Sequence, residues 1–433
     1  MTAARIIVSG ATTAVTKRTT LRKAFLAPWH PLASQIWLYA LADAQRHHHV
    51  AVHHGICVIN HHHLTVTPSL KNLPEFTRRF HNDLSSALNT LMLRERYDPP
   101  RELLDARPPH YMRLLDEGAQ ASHLIYEHLN CVAAGLVERP EHMPGYVFDF
   151  GLWKTGYLEV ERPPVYFSES RPERLRLEVT PPPLLYRAFG GDIDALVHHM
   201  KRLGDGGLRA LRAARTRPVQ GARRVQRIHP WDEPRSLRES GGRPMPTFRI
   251  GARGIVGQLM DIAAATETRA FRGDYGETRE ARRDGDLERE FPFGTYAQVV
   301  QHGAPVAAAP PPGALVALPG PLLSDVKAEL ERDRELRARL RDGSSELVEE
   351  VSAAFAEEVD DIVGHTGVAL SESVAVRVSA SNEDMETPTV VVRHRFGKPI
   401  DTESGARRVI VLRDRRRGRP PAASAKHGAD PPR

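Results

Sequence analysis

Three consecutive histidines, His61, His62 and His63, follow Asn60 and lead into the β-prone run Leu64 to Val66. Side chains alternate between the two faces of a strand, so His61 and His63 share one face while His62 takes the other. Two imidazoles placed i, i+2 on one face can bind a single divalent ion. The chain also carries His47-His48-His49 and His53-His54, and any one such run reads equally well as a solvated polar turn. A second group lies in the helical stretch Ser122 to Asn130. There Tyr126 and Asn130, spaced i, i+4, turn a phenol and an amide towards a common point. The plain reading of such a tyrosine is core packing, and the order of the two groups along the chain has to be weighed with their chemistry.

These side chains need elements to hold them. Pro31 to Gln45 has helical spacing, with Pro28 and Pro31 near its start. Val50 to Ile59 and Leu64 to Val66 read as an antiparallel hairpin turning at Asn60 and the histidines. Leu73 to Leu93 sets Phe76, Phe80, Leu84, Leu88 and Leu91 on one face of an amphipathic helix, and a further helix is expected over Glu117 to Ala134, ended by Gly135. A Pro-rich passage from Arg162 to Pro183 marks a boundary, and 184–300 reads as mostly helical, with arginines over 209–227. The expected organisation is a catalytic domain over 12–165, a helical accessory region over 184–303, an Ala/Pro/Gly linker over 304–322, a small α/β region over 323–414 and a basic disordered tail over 415–433. Within 323–414, two charged helices (Ser324 to Arg341, Ser345 to Val363) and three strands (Ser373 to Val378, Thr389 to Val392, Val409 to Leu412) are expected.

Composition narrows the classes. The 433 residues are 41% hydrophobic and 26% charged, enough for two or three cores and inconsistent with a wholly disordered chain. The net charge of +6 permits a nucleic-acid partner without diagnosing one. Eight lysines against 52 arginines suit phosphate contact through guanidinium forks, although a GC-rich coding sequence produces the same bias. Two cysteines, Cys57 and Cys131, exclude a disulfide scaffold and a Cys-based zinc ribbon. No run approaches the roughly 20 apolar residues of a membrane span, so a soluble cytoplasmic protein is expected.

The two groups together carry a resemblance. Cys57-Val58-Ile59-Asn60-His61-His62-His63-Leu64-Thr65-Val66 resembles the "NHxHxxV" segment of REP-associated tyrosine transposases, members of the HUH single-strand transposase superfamily. Ile125 to Val137 resembles that family's "YxxxNPVRAGLV" helix, with 63 residues separating His63 from Tyr126. Thr16 to Thr19 with Phe25-Leu26, and Phe291-Pro292-Phe293-Gly294-Thr295-Tyr296, are similar to elements of a C-terminally extended subgroup. His62 stands where the family carries a bulky apolar residue, and Cys131 replaces its proline.

The resemblance implies an α+β fold: an antiparallel sheet with flanking helices, a ferredoxin-like core, then a mostly helical extension and a variable C-terminal region. It makes His61 and His63 metal ligands, Tyr126 the nucleophile and Asn130 a candidate third ligand, with Glu127 or His128 as alternatives. A phenol titrates near pH 10 and attacks poorly at neutral pH, so an electropositive site and a Lewis acid are needed. Histidines with an amide oxygen and open positions suit Mg²⁺ or Mn²⁺. The implied reaction is cleavage and rejoining of single-stranded DNA, a hairpin or palindromic repeat, through a 5′-phosphotyrosine. It needs no nucleotide hydrolysis, and no GxxxxGK[ST] loop is present. A homodimer is implied by the resemblance alone. Lys17, Arg18, Arg22, Arg78 and Arg79 are candidate DNA contacts, and Trp153, Tyr157 and Tyr166 are either stacking platforms or core residues. Two other classes stand beside this one: an inactive DNA-binding derivative, motivated by His62 and Cys131, and a histidine-rich metal-binding protein built on the three His runs.

Overall fold

The computed structural model describes residues 4–232, 245–311 and 314, with the backbone of 374–377 and 391–394. In chain order the elements are β1 (Thr13–Arg18), α1 (Pro31–His48), β2 (Val50–Cys57), β3 (His61–Pro68), α2 (Leu73–Arg94), β4 (His110–Leu114), α3 (Glu117–His128) and α4 (Asn130–Ala133). There follow β5 (Tyr146–Val147), α5 (Leu152–Thr155), β6 (Tyr157–Glu161), β7 (Arg174–Glu178), α6 (Pro183–Ala188), α7 (Ile193–Ala213) and α8 (Ala222–Val225). β8 (Phe248–Arg249), α9 (Gly254–Arg283) and α10 (Ala297–His302) come next, then β9 (Val374–Arg377) and β10 (Val391–His394). The chain divides into two compact units, 1–330 and 331–433. In the second, β9 and β10 pair antiparallel, in line with two of the expected strands. The expected helices at 324–341 and 345–363, the strand at 409–412 and the tail at 415–433 lie outside the described residues.

The first unit is α+β. Six strands form one sheet in the order β5-β2-β3-β1-β4-β8, antiparallel throughout except for the parallel edge pair β4 and β8. Register fixes the faces. Val15 pairs with Leu64 and Tyr111, while Thr16 pairs with His63 and His110. The Val15 face is covered by α1 and α2, whose apolar stripes bury Ile36, Trp37, Leu41, Phe76, Phe80, Leu84 and Leu88 against Leu64 and Val66. At the centre of this layer Gly55 lets Trp37 reach the sheet, because a β-carbon there would lie 2.9 Å from both Trp37 and Leu64.

The opposite face, that of Thr16, His61 and His63, receives α3. β2 reaches it through an irregularity: Val52 pairs with Val66, but His54 pairs with Thr65, so the register shifts by one at His53. Without the extra residue Val52 and His54 would share a face; with it, His54 turns to the α3 side. A two-stranded ribbon of β6 and β7 packs beside α1, and its second strand lies within the Pro-rich 162–183 passage. As expected, 184–300 is mostly helical. The short β8 was not anticipated, since two residues carry no periodicity.

Candidate active site

His61 and His63 stand side by side on β3, their rings 4.9 Å apart and nearly perpendicular. Each imidazole uses its Nδ1 within the protein, His61 with Asn60 Oδ1 at 2.7 Å and His63 with Thr16 Oγ1 at 2.9 Å. Such partners fix ring orientation and leave Nε2 as the available lone pair. Asn60 is itself held, its Nδ2 donating to the Arg22 carbonyl at 3.1 Å and its carbonyl accepting from the Thr19 N–H and hydroxyl.

Tyr126 and Asn130 come from the α3 end of the layer. The helix is interrupted where a continuous one was expected: α3 ends at His128, Leu129 adopts φ −90°, ψ 2°, and α4 begins at Asn130. Gly135, at φ +69°, follows the end of α4. Despite the break both side chains reach the histidines. The Tyr126 ring lies 5.7 Å from that of His63, and Asn130 Nδ2 is 3.5 Å from His63 Nε2. Turned about its amide, Asn130 presents Oδ1 to the same place. Tyr126 is 50% exposed, so its phenol is open to solvent.

The electrostatics around this group are mixed. Burial lowers both ligand-position histidines, His61 to about 4 and His63 well below its ordinary value, so both imidazoles are neutral at pH 7. Burial and the neighbouring Glu127 push the Tyr126 phenol up, while Arg18, Asn130 and Arg249 pull it down. Arg18 is the cross-strand partner of His61, and Arg249 arrives on β8. Sequence reasoning found Arg18 and missed Arg249, whose placement rests on a strand pair 135 residues apart, Leu114 with Arg249.

Beneath Tyr126 lies a buried polar network that local spacing did not reveal. Glu127, fully buried, accepts from His123 Nε2 at 3.1 Å, His54 Nδ1 at 3.2 Å and the Thr65 hydroxyl at 2.9 Å. The His123 ring lies 5.6 Å from that of Tyr126. Both carboxylate oxygens are thus engaged away from His61 and His63, and His128 turns its Nδ1 to the Phe148 carbonyl at 3.3 Å. Of the three candidate third donors, the structure brings only Asn130 to the histidine pair. Among the described residues no three His, Cys, Asp or Glu side chains are grouped so as to hold a metal. The pair reaches three donors through an amide. Neutral imidazoles whose Nδ1 atoms are held within the protein, beside an amide, form a donor set that suits a divalent cation.

The other sequence candidates are dispersed. His62 points to the α1/α2 face, fully buried, with Nε2 3.0 Å from His81 Nε2. Lys17 pairs with His62 and so faces the same way, its ammonium donating to the Asp105 and Arg107 carbonyls at 2.6 and 2.7 Å. Arg79 donates from Nε and Nη2 to Asp43 Oδ2. Neither cation is offered to a ligand. Arg78 is exposed on α2, across the sheet from Tyr126, and Arg22 lies in the turn after β1, where Leu21 and Arg22 both adopt positive φ. Trp153 is core, its indole N–H donating to the His53 carbonyl, while Tyr166 is 44% exposed and Tyr157 lies under Arg176. His47 bonds the Asp43 carbonyl and His53 bonds the Thr180 carbonyl and Thr67 hydroxyl, so the His runs do not gather. Phe291 to Tyr296 supports the fold: Gly294 accepts from the Ile7 N–H, and Lys71 lies over Phe293.

No protein-family model and no curated protein matches this chain. Among solved structures, that of a REP-associated tyrosine transposase bound to a REP hairpin is similar over 34% of this chain and 81% of that one, at 15% identity and a TM-score of 0.28. A likeness of that size carries no weight of its own, and the functional reading rests on the side chains. No helix among the described residues is long and apolar enough to cross a membrane.

Proposed function

We propose that this chain is a metal-dependent transposase-type enzyme that cleaves and rejoins single-stranded DNA with Tyr126 as nucleophile. The observation that carries the reading is the meeting, from elements far apart in sequence, of two neutral imidazoles with available Nε2 atoms, an amide and a half-exposed phenol. His61, His63 and Asn130 would hold Mg²⁺ or Mn²⁺, which when bound supplies Lewis-acid polarisation of the scissile phosphate. Tyr126 Oη attacks phosphorus, forming the tyrosyl ester, as the P–O3′ bond breaks. The phenolic proton passes, in net, to the departing 3′-oxygen, leaving a 5′-phosphotyrosine and a free 3′-hydroxyl. Attack by another 3′-hydroxyl reverses the step and joins strands.

Arg18 supports Tyr126 by opposing the burial and the Glu127 charge that otherwise favour the protonated phenol. Arg18 and Arg22 also offer positive charge beside the site for the DNA backbone, and Arg78 offers it on the far face, whereas Lys17 and Arg79 serve the fold. An inactive DNA-binding derivative is the second reading, motivated by the buried His62 and Cys131.

The test is incubation of the protein with labelled single-stranded hairpin DNA from the flanks of its own gene, with Mg²⁺ or Mn²⁺. A denaturation-resistant adduct that Tyr126→Phe and chelation both abolish is expected. Hairpin binding with no adduct under either metal would select the inactive reading instead.

A further inference from the structure

On the α1/α2 face of the sheet, away from Tyr126, lies a cavity of about 60 Å³ enclosed by residues 4–11, β4 and α9. Its charged and polar lining includes Arg5, Arg113, Arg272, Thr13, Tyr111, Thr247 and Thr268, with no carboxylate among the lining residues. Arg113 is the central fact. It is 5% exposed, points from the middle of the β4 pairing with Thr13, and leaves its Nη1 buried without a partner.

A buried, unpaired guanidinium N–H is costly, and such groups are normally satisfied by a protein group, water or an ion. The neighbours do not supply that partner. Arg5 is itself a cation, donating to the Pro109 carbonyl and lying over the Tyr111 ring. The Thr13 and Thr268 hydroxyls donate to backbone carbonyls, of Ala11 and Ala264. Glu267, near Arg113 on α9, offsets one of three guanidinium charges but does not line the cavity. The volume holds a few waters or one small polyatomic ion, and is far below the several hundred Å³ of a site for a nucleoside or similar molecule.

We propose that this cavity is an oxyanion site that takes a single phosphoryl group, with Arg113 Nη1 as its buried donor and Arg5 and Arg272 flanking it. Planar guanidinium forks match tetrahedral phosphate oxygens better than they match chloride. Occupancy ties α9, through Thr268 and Arg272, to the sheet at β4. The phosphoryl group comes either from inorganic phosphate or from the DNA backbone, and the chemistry at the pocket is common to both.

The experiment is thermal unfolding and calorimetric titration of the full chain with inorganic phosphate against chloride at matched ionic strength. Phosphate is expected to raise the melting temperature of the wild type and of Tyr126→Phe alike, since the pocket is independent of the catalytic face. Arg272 is exposed, so Arg272→Gln leaves the core intact and should weaken phosphate binding about tenfold. Arg113→Met should abolish the phosphate response at little cost to stability in chloride, because it removes a buried guanidinium that leaves one N–H without a partner. If both variants also weaken binding of a single-stranded oligonucleotide, the DNA backbone is the source; if oligonucleotide affinity is unchanged, the free ion is. A phosphate response that is absent, or equal in wild type, Arg272→Gln and Arg113→Met, overturns the proposal.

Discussion

Glu127 sets how firmly Tyr126 is held. Burial alone would raise its carboxyl, yet hydrogen bonds and charge from His123 and His54 bring it down to about 2, so the group is an anion throughout the working range. Its three donors come from α3 itself, β2 and β3, which fastens the helix carrying Tyr126 to β3, the strand of His61 and His63, and to its neighbour β2. Replacing Glu127 with Ala leaves two imidazole N–H groups and a hydroxyl unpartnered in a dry site. The expected cost is roughly 3–5 kcal/mol, read from urea unfolding. Glu127→Gln keeps the shape and should recover part of that stability. Adduct yield at a temperature where Glu127→Gln is fully folded should still fall, because the amide must turn an N–H towards one imidazole. A loss under 1 kcal/mol in Glu127→Ala would mean the network is ornamental to the fold.

At the scale of elements, the N-terminus of α3 is clamped from a distant part of the chain. Asp116 caps the helix through the Ala119 N–H at 2.6 Å and also accepts from the N–H groups of Gly251 at 2.9 Å and Ala252 at 3.0 Å. Gly251 sits so tightly on this turn that a β-carbon would lie 2.1 Å from the Gly118 carbonyl carbon. One carboxylate therefore starts the helix that carries Tyr126 and seats the segment that follows β8 and Arg249. Asp116→Ala should cost about 1–2 kcal/mol for the cap alone, with a further loss as the 250–252 segment releases. Adduct formation should slow more than oligonucleotide affinity drops; equal effects on both would count against a positioning role. The long elements around this clamp were legible because their apolar residues recur with period: α1, α2 and the β2/β3 hairpin fall within a few residues of their expected bounds. His61, His63 and Tyr126 were picked out by a local pattern, and the structure brings their rings together. What escaped was non-local. The His54 bulge, the Glu127 network and β8 depend on which strands become neighbours. Lys17 was misread for a different reason: as a basic residue beside Arg18 it looked available, but strand alternation sends it to the face of His62, where backbone carbonyls consume it.

Across the whole first unit, the sheet buries an unusual load of imidazole. His53 is held to about 4, His81 to about 3 and His128 to about 4, each chiefly by burial, with the Thr180 and Phe148 carbonyls opposing the shift at His53 and His128. These groups lie on β2, α2 and α3, so their protonation is a property of the core and not of one site. The sign follows from linkage. A histidine whose folded value lies below its unfolded value of about 6.5 binds protons more tightly in the unfolded chain. Its contribution is complete above pH 6.5, declines as pH falls and is exhausted once pH has passed through the folded values near 4 and 3. Glu127, with a folded value near 2 against an ordinary 4.5, adds a second loss of the same sign below pH 4.5. The melting temperature should therefore be flat from pH 7 to 8, begin to fall near pH 6.5 and drop steeply towards pH 4. An ordinary protein stabilised by surface carboxylates would hold to about pH 5. His81→Asn, which keeps a polar partner for His62 but does not titrate, should flatten the upper part of the decline. A melting curve unchanged between pH 6.5 and 5 would show that these imidazoles reach solvent in the folded chain.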